Sequence, residues 1–322
     1  MNPKKNKVAI VGAGSVGATI AYNLVVRGLV NEIVLIDVNR DKAEAESQDI
    51  LQGMPLGKSV SVYASDYDGC ADAEIVILTA GAKQKPGETR VELLDRNVSI
   101  TRSIVGSILA SGFAGILLVV TNPVDILTHL AWKLSGFPEN RVFGSGTVLD
   151  TARLRSFLAT RCEVSPQNIH GYVIGEHGNT SFPAWSTVTV GGVPIKQYLA
   201  MRNDLAPELH ERLREEAKIY VREAAYAIIK GKGSTFYAIA QAVGTIVESI
   251  LRDERRILPV STVRRNFNGI PETAFSYPAV IGSNGVVHQL EYRLNDEEER
   301  ELSESVDFIT ANIGKVALTL NG

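Results

Sequence analysis

The sequence predicts an α/β protein, with an N-terminal doubly wound parallel sheet and a C-terminal mixed α+β part. Three observations carry this. Strand-like runs alternate with helix-length segments through the first half of the chain. Those runs are apolar throughout rather than at every second position, as strands covered on both faces require. After Gly192 long amphipathic helices replace the alternation. A chain of 322 residues has room for two domains, and we place them at 1–147 and 148–322.

Taken in order, Lys7–Val11 reads as a buried strand, Val16–Leu24 as the heart of a helix ending near Gly28, and Glu32–Ile36 as a second strand. Asp41–Leu51 is helical, Val60–Tyr63 a short strand, Ile75–Thr79 a buried strand and Glu88–Leu109 a long helix. Ile116–Thr121 and Asp125–Leu134 repeat the unit. A helix begins at Val148, and Tyr172–Ile174 reads as a strand stopped by Gly175. Beyond it come helices at Ala206–Ile229, Thr235–Leu251 and Asp296–Ile313, with strands at Ile257–Val263 and Val280–Val287. Tyr220, Tyr226, Phe236 and Tyr237 are expected as core or interface aromatics.

Composition narrows the function classes. Apolar residues make up 45% and charged residues 21%, an ordinary globular balance. With a net charge of −3 and no dense Lys/Arg cluster, nucleic-acid binding is not indicated. The two cysteines, Cys70 and Cys162, cannot build a disulfide framework, which suits a reducing compartment. The basic N-terminus runs straight into strand sequence at Val8, leaving no secretory h-region, and apolar runs such as Gly115–Val120 are too short for a membrane span. A soluble, cytoplasmic protein is expected.

The first chemical signal is Gly12-Ala13-Gly14-Ser15-Val16-Gly17, between a strand and a helix. In that setting Gly12 permits the tight turn, Gly14 lets a pyrophosphate approach the backbone, and Gly17 lets helix and strand pack closely. The second strand ends in Asp37, twenty residues after Gly17, where a carboxylate accepts hydrogen bonds from ribose hydroxyls and repels a 2′-phosphate. NAD is therefore expected over NADP, with nearby Arg40 the one residue suited to a phosphate. Strand ends at Ala80-Gly81-Ala82 and Thr121-Asn122-Pro123 lie where such sheets bind ligands. Asn122 reads either as a helix cap or as a contact to ribose or substrate. The polar Gly81–Arg90 segment reads as a lid, with Arg90 either solvated or drawn to a carbonyl oxygen.

The second signal is His177, between Glu176 and Gly178 in a loop after the Tyr172–Ile174 strand. Two readings are open: a hydrogen-bonded structural histidine or a general acid/base. Asp150 and Arg153, three apart on a helix, share a face. They are either a surface ion pair or the orienter of an imidazole beside a fork for a carboxylate. His129, His210 and His288 lack partners at telling spacing and read as surface or satisfied residues. His170 and His177 have no third ligand nearby, so no metal site is expected.

GAGSVG, LIDVN, TAGAKQKPGETR, VTNPVD, GSGTVLDTAR and IGEHG occur in that order. On these motifs the chain resembles the lactate/malate dehydrogenase family, and most nearly its bacterial lactate-using members, over essentially its whole length. The resemblance implies a Rossmann domain binding NAD through Gly12, Gly14, Val16, Gly17, Asp37, Lys42, Tyr67, Gly81, Ala82, Asn122 and Ser145. It implies interconversion of (S)-lactate and pyruvate, the last step of homolactic fermentation. His177 would be the proton donor and acceptor, oriented by Asp150. Arg153 would clamp the carboxylate, Arg90 would polarise the carbonyl, and Gln84, Asn122, Asp125 and Thr235 would contact substrate.

Malate-using relatives carry an arginine where this chain has Gln84, so a second substrate carboxylate would lack a partner. Lys83 and Lys85, flanking it, are expected in solvent. Arg155 and His170 resemble a pair that binds fructose 1,6-bisphosphate between subunits in allosteric members. A homo-oligomer, expected as a tetramer, goes with that. Asn179 departs from the family's usual aspartate and is expected to modulate His177 rather than disable it. The competing readings are a malate or other 2-hydroxy acid dehydrogenase and a non-catalytic NAD-binding protein.

Overall fold

The computed structural model describes residues 6–57, 59–82, 87, 90–202, 209–265, 267, 269 and 272–320, with backbone alone at 56, 90–91, 209–211 and 315–320. From the N-terminus, β1 (Lys7–Val11) turns into α1 (Ser15–Arg27), followed by β2 (Glu32–Ile36), α2 (Arg40–Gln52) and β3 (Ser61–Ala64). The alternation continues through β4 (Ile75–Leu78), α3 (Arg90–Ala110), β5 (Ile116–Val119), α4 (Val124–Ser135), β6 (Val142–Gly144) and α5 (Val148–Cys162). Short strands β7 (Ile169–His170), β8 (Val173–Ile174), β9 (Phe182–Pro183), β10 (Thr189–Val190) and β11 (Val193–Pro194) come next. The chain then runs through α6 (Ile195–Met201), α7 (Leu209–Lys232) and α8 (Tyr237–Leu251). Strands β12 (Arg256–Arg264), β13 (Thr273–Gly282) and β14 (Gly285–Gln289) precede the closing α9 (Asp296–Leu320).

Six strands pair in parallel in the order β3-β2-β1-β4-β5-β6, the doubly wound arrangement the apolar runs predict. Successive residues of these strands enter opposite cores. Val8, Ile10, Ile75 and Ile77 pack with α1 and α8, whereas Ala9, Val11, Val76 and Leu78 pack with α3 and α4. Burying each such aliphatic side chain contributes about 1.5–3 kcal/mol, so a polar substitution on either face is costly. Every strand end between β1 and β5 therefore opens on the same crevice, where the glycine turn and Asn122 sit.

The sheet does not stop with the parallel strands. β12 pairs antiparallel with β6 through Ser261↔Gly144 and Thr262↔Phe143, and β13 and β14 extend it to nine strands. The strand expected over Val280–Val287 is instead a hairpin: β13 and β14 meet at Gly282↔Gly285 around Ser283-Asn284. The apolar residues on both sides hid the turn, although Asn-Gly is the usual signal for one. Strand β6, paired on both edges, is three residues long and was too short to be seen as a period.

Tyr220, Tyr226 and Tyr237 are not core residues of this chain; Tyr237 is 70% exposed, and the other two also face outward from α7. Their aromatic character identifies apolar surface, not its location. His129 is buried near Glu272 at 3.6 Å and its pKa lies below the ordinary value because burial disfavours its charge. His288 is exposed, and the His210 side chain lies outside the described residues. Cys70 and Cys162 are buried and unbridged. Among the described residues no helix is long and apolar enough to cross a membrane.

Candidate active site

The glycine turn follows directly from β1. Gly12 adopts φ +108°, and a Cβ there would lie 2.6 Å from the Ala80 nitrogen. At Gly17 a Cβ would sit 1.9 Å from the Gly12 carbonyl oxygen. Only glycine fits either place. The space beside Gly14 is open, with nothing within 4 Å of the point a Cβ would occupy, and no side chain caps the start of α1. Backbone N–H groups left uncapped at a helix start suit a pyrophosphate.

Asp37 closes this cradle. Its Oδ2 accepts from the Ala13 N–H at 2.7 Å and its Oδ1 from the Asn39 N–H at 2.9 Å. A cavity of about 470 Å³ is lined by Gly12, Gly14, Asp37, Lys42, Tyr67 and Gly81. Arg40 is not among its lining residues: it pairs with Glu44 one turn along α2 at 2.8 Å. Arg40 is thus paired along α2, while the Asp37 carboxylate borders the cavity where it would repel a 2′-phosphate, and the lining fits NAD.

A second cavity, of about 390 Å³, adjoins the first; Thr79 and Gly81 border both. Val16, Ala82, Asn122 and Ser145 are among its lining residues. Arg153, His177 and Thr235 line it as well, so α5, the loop after β8 and the turn before α8 converge there. Asn122 does not cap α4, whose N-cap is Pro123, and its carbonyl oxygen accepts from Asn97.

His177 Nδ1 lies 2.6 Å from Asp150 Oδ2, and Arg153 Nη1 donates to Asp150 Oδ1 at 2.8 Å. The Asp150–Arg153 pair is not the surface pair that helix spacing alone allows, because both side chains are largely enclosed. Burial alone would lower the His177 pKa, but the Asp150 charge and hydrogen bond overcome it and raise the imidazole to about 9. For Asp150, burial is outweighed by the charges of His177 and Arg153, which hold its carboxyl below the usual range.

Asp125, expected against substrate, is 2% exposed and lies behind the cavity lining, under the His177 loop. Its Oδ2 accepts from the His177 backbone N–H at 2.7 Å, and Ser276 Oγ donates to its Oδ1 at 3.3 Å. Enclosure by α4 and β13 pushes its carboxyl up to about 6.

Three polar residues given no role in the sequence analysis hold the crevice together. Asn97 accepts from Ala82 N–H at 2.8 Å and donates to the Asn122 carbonyl at 3.1 Å, tying two ligand-bearing strand ends together. Thr79 donates to the Gly12 carbonyl at 2.9 Å, and Thr121 to the Ala80 carbonyl at 2.8 Å. A buried asparagine on the apolar face of α3 was the available signal for the first. Gln84, Lys83 and Lys85 lie outside the described residues, as does the Arg90 side chain, although Arg90 begins α3.

Arg155 and His170 are not part of the cavity lining. Arg155 donates to the Gly171 carbonyl at 3.4 Å and stacks over Tyr172 at 5.5 Å, while His170 is exposed on β7. Asn179 is exposed as well; its Oδ1 accepts from Tyr226 Oη at 3.3 Å, so it joins the loop to α7 rather than to the imidazole.

A dinucleotide cradle opening onto a carboxylate–imidazole pair with a neighbouring guanidinium is the equipment of an NAD-dependent oxidoreductase. Comparison with known proteins narrows the class. Residues 6–144 match the lactate/malate dehydrogenase NAD binding domain, and residues 147–319 match the alpha/beta C-terminal domain of the same family. The chain belongs to the lactate/malate dehydrogenase family. It is 47% identical over 308 residues to an L-lactate dehydrogenase of Thermoanaerobacter sp. (strain X514), covering 96% of this chain and 98% of that one. It is 44% identical over 308 residues to an L-lactate dehydrogenase of Priestia megaterium, covering 95% of each. Among solved structures, the ligand-bound minor L-lactate dehydrogenase of Enterococcus mundtii matches with a TM-score of 0.93 and 43% identity, over 98% of this chain and 99% of that one. A lactate dehydrogenase from a Medee basin deep-sea metagenome library matches with a TM-score of 0.92 and 40% identity, over 98% of this chain and all of that one.

Proposed function

We propose that this chain interconverts (S)-lactate and pyruvate with NAD. The arrangement of Arg153 and His177 on the cavity lining, both held by the buried Asp150, carries the reading. Bound NADH supplies the hydride. Arg153 pairs with the substrate carboxylate, and Asn122 and Thr235 flank the substrate. Protonated His177 donates to the carbonyl oxygen as it gains negative charge, and Asp150 keeps the imidazolium oriented throughout. Arg90 polarises the same oxygen. In lactate oxidation His177 accepts the hydroxyl proton. The glycine cradle, with Asp37, Lys42, Tyr67, Gly81, Ala82 and Ser145, holds the cofactor.

Gln84 is the basis for pyruvate over oxaloacetate. Leaving a second carboxylate buried and unpaired costs about 3–5 kcal/mol, so the pyruvate preference is expected to be roughly 10²–10³-fold or more. Gln84→Arg is expected to raise oxaloacetate turnover by a comparable factor and lower that of pyruvate. NADH absorbance with both substrates checks it, and equal turnover of the two by the unmodified chain would overturn the assignment.

Arg155 and His170 form the basis for activation by fructose 1,6-bisphosphate: a guanidinium and an imidazole, both off the cavity, suit a phosphate. The bisphosphate is expected to lower the pyruvate concentration at half-saturation, and Arg155→Gln to remove that effect. An unchanged saturation curve between about pH 5 and 7 would count against it. Exposed apolar side chains on α1 and α7, Tyr22, Val26, Ile219 and Tyr220 among them, support a homo-oligomer, which we infer to be a tetramer working in the cytoplasm.

A further inference from the structure

The backbone of the His177 loop is held by a closed ring of hydrogen bonds anchored in α9. The Glu176 N–H donates to Ser305 Oγ at 2.7 Å. Thr180 Oγ1 lies 3.0 Å from Ser305 Oγ and donates to Glu176 Oε2 at 2.5 Å. The carboxylate can only accept, so the Thr180 proton must point to it. The Thr180 oxygen is then free to accept from Ser305 Oγ–H, and the ring runs in one direction, from the Glu176 N–H back to the Glu176 carboxylate. The Thr180 N–H also donates to Glu176 Oε2, at 3.1 Å.

This ring acts one residue away from the chemistry. The Glu176 N–H is held by Ser305 from α9, and the next N–H, that of His177, is held by Asp125 from α4. Two successive peptide planes are thereby fixed, and with them the direction in which the His177 side chain leaves the backbone. The packing leaves little slack: a Cβ on Gly175 would meet Ser305 Oγ at 2.5 Å, and Ser305 is fully buried. Ser305 does not line the cavity. We infer that Ser305 is a positioning residue for proton transfer by His177, acting with Thr180 and Glu176 to hold the imidazole against Asp150.

The inference rests on His177 being the proton carrier in lactate–pyruvate interconversion. Among the described residues, the charged groups acting on His177 are Asp150 and Arg153 from α5 and Asp125 from α4, with Glu176 next to it in the loop. Ser305→Ala removes none of them. It is expected to lower kcat for pyruvate about tenfold, since a small misplacement of a reacting group is enough for that. KM for pyruvate and the NADH dissociation constant should stay within about twofold. The upper limb of the pH–rate profile should move to lower pH as the imidazole loosens from Asp150. Thr180→Val should do the same, and the double variant should be no worse than the worse single change, because the ring acts as a unit. Thr180→Ser keeps the hydroxyl and should keep wild-type kcat. Wild-type kcat and pH profile in Ser305→Ala, or additive losses in the double variant, would overturn the assignment. If Ser305→Ala does not fold, Thr180→Val against Thr180→Ser decides the same question. Failure of the underlying reading looks different: the unmodified chain would not oxidise NADH with pyruvate.

Discussion

His177→Asn is expected to lower kcat for pyruvate reduction by roughly 10³–10⁴-fold, the contribution of a positioned proton donor. Asparagine keeps a polar side chain of modest size, but it has no proton to give to a developing alkoxide near neutral pH. Arg153, the glycine cradle and Asp37 are untouched by the change. NADH affinity, read by fluorescence titration, should therefore stay within about twofold, and binding of a non-reacting pyruvate analogue should weaken only modestly. Turnover within about tenfold of the unmodified chain would end the assignment of His177 as the proton donor. Loss of NADH binding would instead mean that the substitution had disturbed the fold.

Asp150→Asn is expected to cost on the order of 10²–10⁴-fold in kcat and to reshape the pH profile. Asp150 holds His177 Nδ1 at 2.6 Å while accepting from Arg153, so one carboxylate sets both the imidazole tautomer and the guanidinium position. It is also what raises the imidazole to about 9 against the opposing effect of burial. With Asp150 present, pyruvate reduction needs protonated His177, so its rate should hold at neutral pH and fall as pH rises through about 9. Lactate oxidation needs the neutral imidazole and should rise over the same range. With asparagine in place, burial, the largest effect, and Arg153 push the pKa down against Asp125 alone, and both limbs should move well below 9, toward the ordinary imidazole value of about 6.5.

The same raised pKa has a stability sign. The stabilisation from the His177–Asp150 pair is complete below the unfolded value of about 6.5 and is lost as pH rises through about 9. Thermal unfolding midpoints for the two chains should therefore converge at alkaline pH. A pH profile unmoved by Asp150→Asn would show that this pair does not set the titration.

Much of the site was legible in the chain because its parts are local. The glycine turn, the strand before it, the helix after it and Asp37 fall within thirty-one residues and follow turn chemistry and short-range packing. The shared face of Asp150 and Arg153 is a matter of helical spacing, and the ion pair sits where that spacing puts it. Asp125 shows the opposite case. The resemblance places it against substrate, but which groups its carboxylate meets depends on the His177 backbone, which arrives from another element. Asn97 and Ser305 could be noticed as single polar residues on apolar helix faces, but neither has a partner visible in the chain.

The order of residues alone was enough to specify the doubly wound sheet, the cofactor cradle and the residue types needed to move a proton beside a hydride. Apolar period and glycine placement act over a few residues, and their consequences do not depend on the rest of the chain. Which groups meet was settled by packing. The closure of Asp150 on His177 spans 27 residues, and the bond of the His177 loop to α9 spans 129. Such contacts form when separate elements come together, and their hydrogen-bond geometry is set at that point, because no local pattern in the chain encodes a distance or an angle between distant segments.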